Sequence, residues 1–432
     1  MDLFNYLKSE AEQVEVVEMQ NESTTVEFEA NKLKTSKVEE TRGTAVRVVR
    51  HGRLGFAAST DRDAINKLAA NVMESASYGD EIPLHFAGPQ AAASSRTFDS
   101  GIADLPIQRL VEIGGEMIEM LLAVEPEARV NVSLNRGIQT VSVRTQAGAE
   151  VSFERSPFSI SIDLSRVQNE DILTLFDMLG MTLLNEDPLM PARHLVEKLK
   201  WAKRLTTLHS GTMPVLFSPS GSLAWLLPLI EGLNGRNVYK GVSPMTGKIS
   251  KKIFDEELTV MDDGTLDGKL GSAPYDDEGI PHRCNVLIDH GVLKGFLYDL
   301  KTAVQSGVES TGNGMRELFN PPRIAPTNLV IEPGNQPLDE IISNIDEGLL
   351  VDDLLGLGQG NILSGSFSNP VALGLKIEKG EIVGRVKDVS VAGNIYDLLE
   401  NITSVSKETR WIFNTFSAPY ILLSDMNVVS KN

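Results

Sequence analysis

The feature that most constrains this chain is a two-residue alternation running from Thr24 to Thr60, "TTVEFEANKLKTSKVEETRGTAVRVVRHGRLGFAAST". Successive side chains of a strand point to opposite faces. A run of this kind, rich in Val, Thr and Phe, therefore folds as paired strands with one face buried. "HGRLG" supplies a hairpin turn between "TAVRVVR" and "LGFAAST". The period then becomes helical. "STDRDAINKLAANVMESA" reads as a helix capped by Thr60 or Asp61, with Ile65, Leu68, Ala69 and Val72 on one face. After a small-residue linker at 85–101, "DLPIQRLVEIGGEMIEMLLAVEP" reads as a second helix, capped by Asp104 with Pro106 in its first turn.

Four strand-like runs follow, "ARVNVSL", "IQTVSVRTQ", "AEVSFERS" and "FSISIDLSR", with "RG" and "AG" as turns. Together these elements predict an α+β N-terminal domain over 1–185, an antiparallel sheet with two long helices. A connecting helix occupies 186–210. From 211 to 432 glycine becomes frequent and short strands alternate with glycine turns. Hairpins are expected at "RCNVLIDHGVLKGFLYD", from Cys284 to Tyr298, and around "EKGE", with a final strand in "SAPYILLSDMNVVS". This part reads as a β-rich domain, barrel or sandwich, with a few helices. A length of 432 residues suits two or three domains.

No apolar run reaches the ~18 residues that span a bilayer. The N-terminus lacks the basic and apolar segments of a secretion signal, so a cytoplasmic location is expected. The net charge of -19 speaks against direct nucleic-acid contact, which draws on Lys and Arg neutralising phosphates. The basic cluster "EKLKWAKRL" at 197–205 reads as a solvated helix face. The single cysteine, Cys284, excludes an internal disulfide and reads as a small buried residue. None of the six histidines has the i, i+4 spacing of a zincin helix. His282 and His290 flank one strand, which a turn could fold into a metal site.

Three stretches invite a chemical reading. "YDDEGIPHR" carries Asp276, Asp277 and Glu278 in a row. Such clusters suit hard metals or acid/base pairs, though a solvated loop with a structural role is the favoured reading. "STGNGMREL" places Gly312, Asn313 and Gly314 before Arg316. Glycines here would let a backbone approach a ligand and bare its N–H groups. "GLGQGNILSGSFS" sets Gly358 and Gly360 beside a short alternating strand that could pair with an extended peptide. Finally, "SLAWLLPLIEGLNG", 222–235, is a helix entered from the strand "TMPVLF". It carries no His, Cys or Asp; its one acid is Glu231, and Pro228 interrupts it.

Long blocks of the sequence resemble the TldD/PmbA family, also called the modulator-of-DNA-gyrase family. They are "LTVMDDGTLDGKLGSAPYDDEGIPHRCNVLIDHGVLKGFLYDLKTA", then "STGNGMRE", and nearer the N-terminus "GTAVRVVRHGRLGFAAST". The resemblance implies a metallopeptidase system acting on peptides or unfolded segments, built from two related subunits. Its catalytic members carry His-Glu-x-x-x-His and then Glu-Gly on the helix that corresponds to 222–235. In that register Glu231–Gly232 fit the trailing pair, while Leu223, Ala224 and Pro228 occupy the first His, the Glu and the second His. Leu and Pro cannot ligate zinc and Ala cannot act as a base.

The resemblance therefore implies a chain without catalytic or metal-binding residues of its own. It would pair with a zinc-bearing TldD-like subunit, or with itself. Gly312, Asn313, Gly314, Arg316, Gly358 and Gly360 are the candidates for peptide contact. Competing expectations are an atypical metal site built from Asp276, Asp277, His282 and His290, a DNA- or gyrase-binding regulator, and a self-assembling peptide-binding module.

Overall fold

The computed structural model describes residues 3–61, 63–169 and 171–431. The alternating run becomes a long hairpin, Gln13–Glu29 against Lys32–Arg50, that turns through the left-handed residues Ala30 and Asn31. Two such residues in succession give a turn whose twist matches the strands it joins. The next turn, at His51 and Gly52, brings Arg53–Ser59 alongside, as the alternation implies. On the other side lie Arg129–Thr145, Phe158–Gln168 and Asp171–Met181, with Glu150–Arg155 folded back on the first of these. The result is a seven-stranded antiparallel sheet.

Several local expectations are corrected. "ARVNVSL" and "IQTVSVRTQ" are one strand, because Arg136–Gly137 continues it rather than turning. A Cβ on Gly137 would sit 2.6 Å from the Glu22 carbonyl, so this glycine permits close strand approach. The strand Asp171–Met181 was not expected. The first helix spans Ile65–Tyr78 and is preceded by Ala64, not capped by Thr60 or Asp61. The second spans Ile107–Leu122 and begins after Pro106, since the residue before a proline is disfavoured in the helical region. Asp104 instead ends the short helix Ser100–Ala103. The stretch 85–101 packs against the body, with Phe86, Ala87 and Thr97 buried. Phe4 and Leu7 are buried from an unanticipated helix, Leu3–Glu10.

The helix Met190–Ala202 leads into a closed barrel. In order around it run Gly211–Phe217, Glu347–Leu354, Ser366–Glu378, Val389–Asn394 and Phe416–Ser430, the last pairing back to the first. Of barrel and sandwich, the barrel forms. Leu329–Ile331, Val260–Asp263 and Cys284–Asp289 extend the sheet beyond it. The hairpin after Cys284 is shorter than expected: its second strand is Val292–Leu293, and by Leu297 the chain bonds Leu233 instead. The segment 356–365 is a turn with a 3-10 helix at Ile362–Ser364, and its strand starts only at Ser366.

One apolar core fills the barrel and packs the helix Leu223–Leu233 against it. A second joins Ile107–Leu122, the N-terminal sheet and outward-facing barrel residues such as Leu216, Leu350 and Leu422. Lys198, in the basic cluster, is buried against Asp352 at 2.7 Å rather than solvated. Among the described residues no helix is long and apolar enough to cross a membrane.

Candidate functional site

Leu223–Leu233 is a helix with Pro228 inside it. It lies beside a cleft of ≈ 300 Å³ walled by Leu223, Ala224, Leu227 and Pro228 on one side and by Leu355–Gln359 and Ser366–Pro370 on the other. None of the lining residues is His, Cys, Asp or Glu. Zinc needs such donors, and a general base needs a titratable group, so the residues present fit neither role. Glu231 does not face this cleft. Its Oε2 accepts from Asn237 Nδ2 at 2.9 Å, and it lines a different cavity with Arg47 and Asp299. Gly232 has a packing role, since a Cβ there would lie 2.5 Å from Met245 and 2.8 Å from the Tyr396 hydroxyl.

The cleft offers main chain instead of chemistry. Ser366–Pro370 pairs with Val389–Asn394 on one edge. On the other edge the partner strand Glu347–Leu354 reaches only to Val371, and Leu355 N–H closes onto the Pro370 carbonyl. Among the described residues, no strand pairs with this edge from Ser366 to Asn369, which forms a wall of the cleft; Ser366 N–H alone is taken up, donating to Ser364 Oγ at 3.4 Å. An extended peptide can add to such an edge through main-chain hydrogen bonds, with little regard to its sequence. Gly358 lines this cleft; Gly360 is exposed on the same turn.

Gly312, Asn313, Gly314 and Arg316 are placed elsewhere: Gly312 N–H donates to Ser310 Oγ at 3.2 Å, and the other three serve the protein's own acids. Gly314 N–H donates to Asp276 Oδ2 at 2.9 Å and Arg316 N–H to Asp277 Oδ2 at 2.7 Å. Asn313 Nδ2 donates to Asp262 Oδ2 at 2.6 Å. The N–H groups of Gly314 and Arg316 are thus taken up by carboxylates of the acidic loop. That loop is not solvated: Asp276 and Glu278 are buried. Asn313, Gly314 and Arg316 also line a separate cavity of ≈ 260 Å³.

Four buried charges anchor this region. Glu15 accepts from Arg47 Nε at 2.8 Å, from Arg47 Nη2 at 2.5 Å, and from Arg316 Nη2. Arg47 Nη1 donates to Glu278 Oε1 at 2.7 Å. Burial works against ionising Glu15, yet the Arg316 and Arg47 guanidiniums outweigh it and hold its carboxyl below the usual range. Burial pushes Asp276 well up, helped by Glu278, and raises Asp277 and Glu278 as well. Asp262, buried among hydrogen bonds from Asn313 and Thr327, rises to about 6. Glu15 and Arg47 escaped the sequence reading, although a signal existed. Each sits among buried valines in its strand, and they face each other across the hairpin.

The alternative metal site does not assemble. His282 is buried with Nδ1 3.3 Å from the Gly264 carbonyl, and burial lowers it to about 4, so it is neutral. His290 sits at a hairpin turn against the Glu256 carbonyl. Among the described residues no three His, Cys, Asp or Glu side chains converge to hold a metal. Cys284 is exposed rather than buried, its sulfur 3.8 Å from that of Met261.

Residues 210–430 match the model of the PmbA/TldA metallopeptidase C-terminal domain, and residues 14–76 that of the family's domain 1. The chain is 27% identical over 414 residues to an uncharacterised protein of Methanocaldococcus jannaschii, covering 93% of this chain and 94% of that one. It is 34% identical over 203 residues to a metalloprotease TldD homologue of Buchnera aphidicola, and spans only 42% of that relative's length. The crystal structure of TldE from Thermococcus kodakarensis overlays with a TM-score of 0.90 at 25% identity, covering 99% of each chain.

Proposed function

We propose, for a chain that belongs to the PmbA/TldD metallopeptidase family, that it serves as a zinc-less subunit beside a zinc-bearing relative and helps enclose an extended peptide or unfolded segment. The observation that carries this reading is the cleft at Leu223–Pro228, which has an open strand edge at Ser366–Asn369 and no side chain able to ligate zinc or move a proton. Such a wall can align a peptide but cannot cut it. Likeness to a TldE structure supports the same assignment. The catalytic zinc then belongs to the partner, and the working form is a heterodimer in the cytoplasm. With a net charge of -19, direct nucleic-acid contact has no part in this role.

The test is elemental analysis of the chain purified without chelator, joined to an assay on an unfolded peptide. The expected result is no zinc and no cleavage by the chain alone, with cleavage in the presence of a zinc-bearing relative. Stoichiometric zinc and cleavage by the lone chain would overturn the proposal.

A further inference from the structure

The strand Lys32–Arg50 is covered on its outer edge by Arg53–Ser59 only from Thr44 to Arg50. Among the described residues nothing pairs with that edge before Thr44, and Ser36 to Arg42 are exposed. A β-bulge at Lys34, where Thr35 faces Glu27 but Leu33 faces Phe28, bounds the regular part. What remains is the open edge Thr35–Gly43.

An uncovered edge of this length is a template for pairing, and natural proteins usually blunt it. Here its sequence is "TSKVEET", residues 35–41. Laid antiparallel on a second copy with Val38 opposite Val38, each residue i faces residue 76 − i. Lys37 then meets Glu39 twice, Thr35 meets Thr41 twice, and Ser36 meets Glu40 twice. Val38, an apolar side chain left 59% exposed, covers its own image on the two-fold axis. Opposite charges, paired threonines and paired β-branched residues are the favourable cross-strand combinations. Centring on Lys37 would instead set two lysines face to face. In the isolated chain Lys37 and Glu39 already contact each other at 3.1 Å, so pairing merges two such contacts into a four-charge cluster.

We propose that the edge Thr35–Thr41 is a self-recognition surface whose occupant is the same edge of a second copy of this chain, in the Val38 register. The symmetry of the segment favours a second copy over an unrelated partner, which would have no reason to match i with 76 − i. Two contacts limit the pairing to residues 35–41: beyond them Arg42 would meet the partner's Lys34, a like-charge pair, and continued straight, the partner's Lys32 would reach Thr44, which Ser59 already occupies. The bulge at Lys34 is where the strand bends out of line before that point. Seven residue pairs make a small interface beside a standard one of ~1,600 Å². The dimer is therefore concentration-dependent and weakened by salt. The inference stands apart from the metallopeptidase assignment and survives its failure.

Cysteine trapping reads the register directly. In the full chain carrying Cys284→Ser, Val38→Cys should oxidise to a disulfide-linked dimer. Thr35→Cys and Thr41→Cys should each fail alone and cross-link when mixed. Lys37→Glu or Glu39→Lys, added to Val38→Cys, turns two attractive pairs repulsive and should slow trapping roughly tenfold. The two together restore opposite charges and should restore the rate. All these positions are exposed, so circular dichroism and melting serve to establish that each variant is folded. No dimer with Val38→Cys, equal trapping at all three cysteine positions, or no recovery on the charge swap would each overturn the proposal.

Discussion

Glu15→Gln tests whether the buried four-charge cluster holds the fold together. Glu15 is fully buried, and Arg47, Arg316 and Glu278 are almost equally so. The cluster holds two guanidiniums and two carboxylates. The substitution removes one negative charge and places an amide where three guanidinium donors converge. Removing one partner from a buried ion pair costs about 3–5 kcal/mol, because the charge left behind has no solvent. Whole-protein stability is of order 5–15 kcal/mol, so this is a large fraction. At about 2.1 cal/mol/K per residue, 432 residues unfold with an entropy near ~0.9 kcal/mol/K, and the melting temperature falls by roughly 3–5 °C. Calorimetry and urea denaturation both read the change. Adding Arg47→Met rebalances the charge, so the double variant should lose less than the sum of the singles. As a control, Glu256→Gln breaks the exposed Lys252 pair and should leave melting unchanged. A loss below about 1 kcal/mol for Glu15→Gln would refute the reasoning, since a buried unpaired guanidinium cannot cost so little.

Asp262 gives a pH dependence of definite sign. Its folded pKa is raised from 3.8 to about 6, so the folded state binds a proton that the unfolded state releases. Its contribution is fully present below pH 3.8 and is lost as pH rises through about 6. Denaturation between pH 5 and 7 should show stability falling with pH by about 1 kcal/mol, the upper end of a total of about 3 kcal/mol that this group contributes below pH 3.8. Asp262→Asn should flatten the slope, and an unchanged slope would refute the assignment. Two adjacent glycines of the helix Ile107–Leu122 should respond oppositely to alanine. A Cβ on Gly115 meets nothing within 4 Å, so Gly115→Ala should stabilise by ~0.5–1 kcal/mol. On Gly114 it would lie 2.2 Å from the Phe28 ring, so Gly114→Ala should destabilise by ~1–3 kcal/mol. Equal responses in thermal melts would contradict the packing described here.

The sequence made the fold legible where one face of an element is apolar and the other polar. The long hairpin and both main N-terminal helices meet that condition, whereas the final strand, buried on both faces from Ser417 to Leu423, is legible as a continuous apolar run. Asp171–Met181 offers neither signal. Ile172 and Phe176 are 63% and 40% exposed, so apolar residues sit on both faces and the alternation is hidden. Gly137 misled for another reason, because a glycine needed for close strand approach has the same letter as one needed for a turn. At the cleft, the absence of any His, Cys, Asp or Glu at Leu223, Ala224 and Pro228 is plain from the letters themselves. The burial of Asp276 and Glu278 is not, since three acids in a row look solvated until their partners are known. Glu278 finds its partner, Arg47, 231 residues away, and in the same cluster Glu15 and Arg316 are 301 apart. No local pattern carries such pairings.

The two regions differ in how freely they tolerate change, and the difference follows from burial and charge. Leu223, Ala224 and Pro228 border a cleft whose walls are largely apolar or main chain. None of these three strands a buried charge; Pro228 forgoes only the helix hydrogen bond to the Ala224 carbonyl, and the helix still packs on the apolar core behind it. Glu15, Arg47, Glu278 and Arg316 have no comparable freedom, because a single change strands a charge in the interior. They also bind the N-terminal hairpin to loops that follow the barrel's first strand, across the longest sequence separations in the cluster. A chain can therefore lose the ability to cut a peptide while keeping the walls that would hold one. On the proposed reading of a zinc-less subunit, the role of this chain would lie in the shape and strand edge of the cleft.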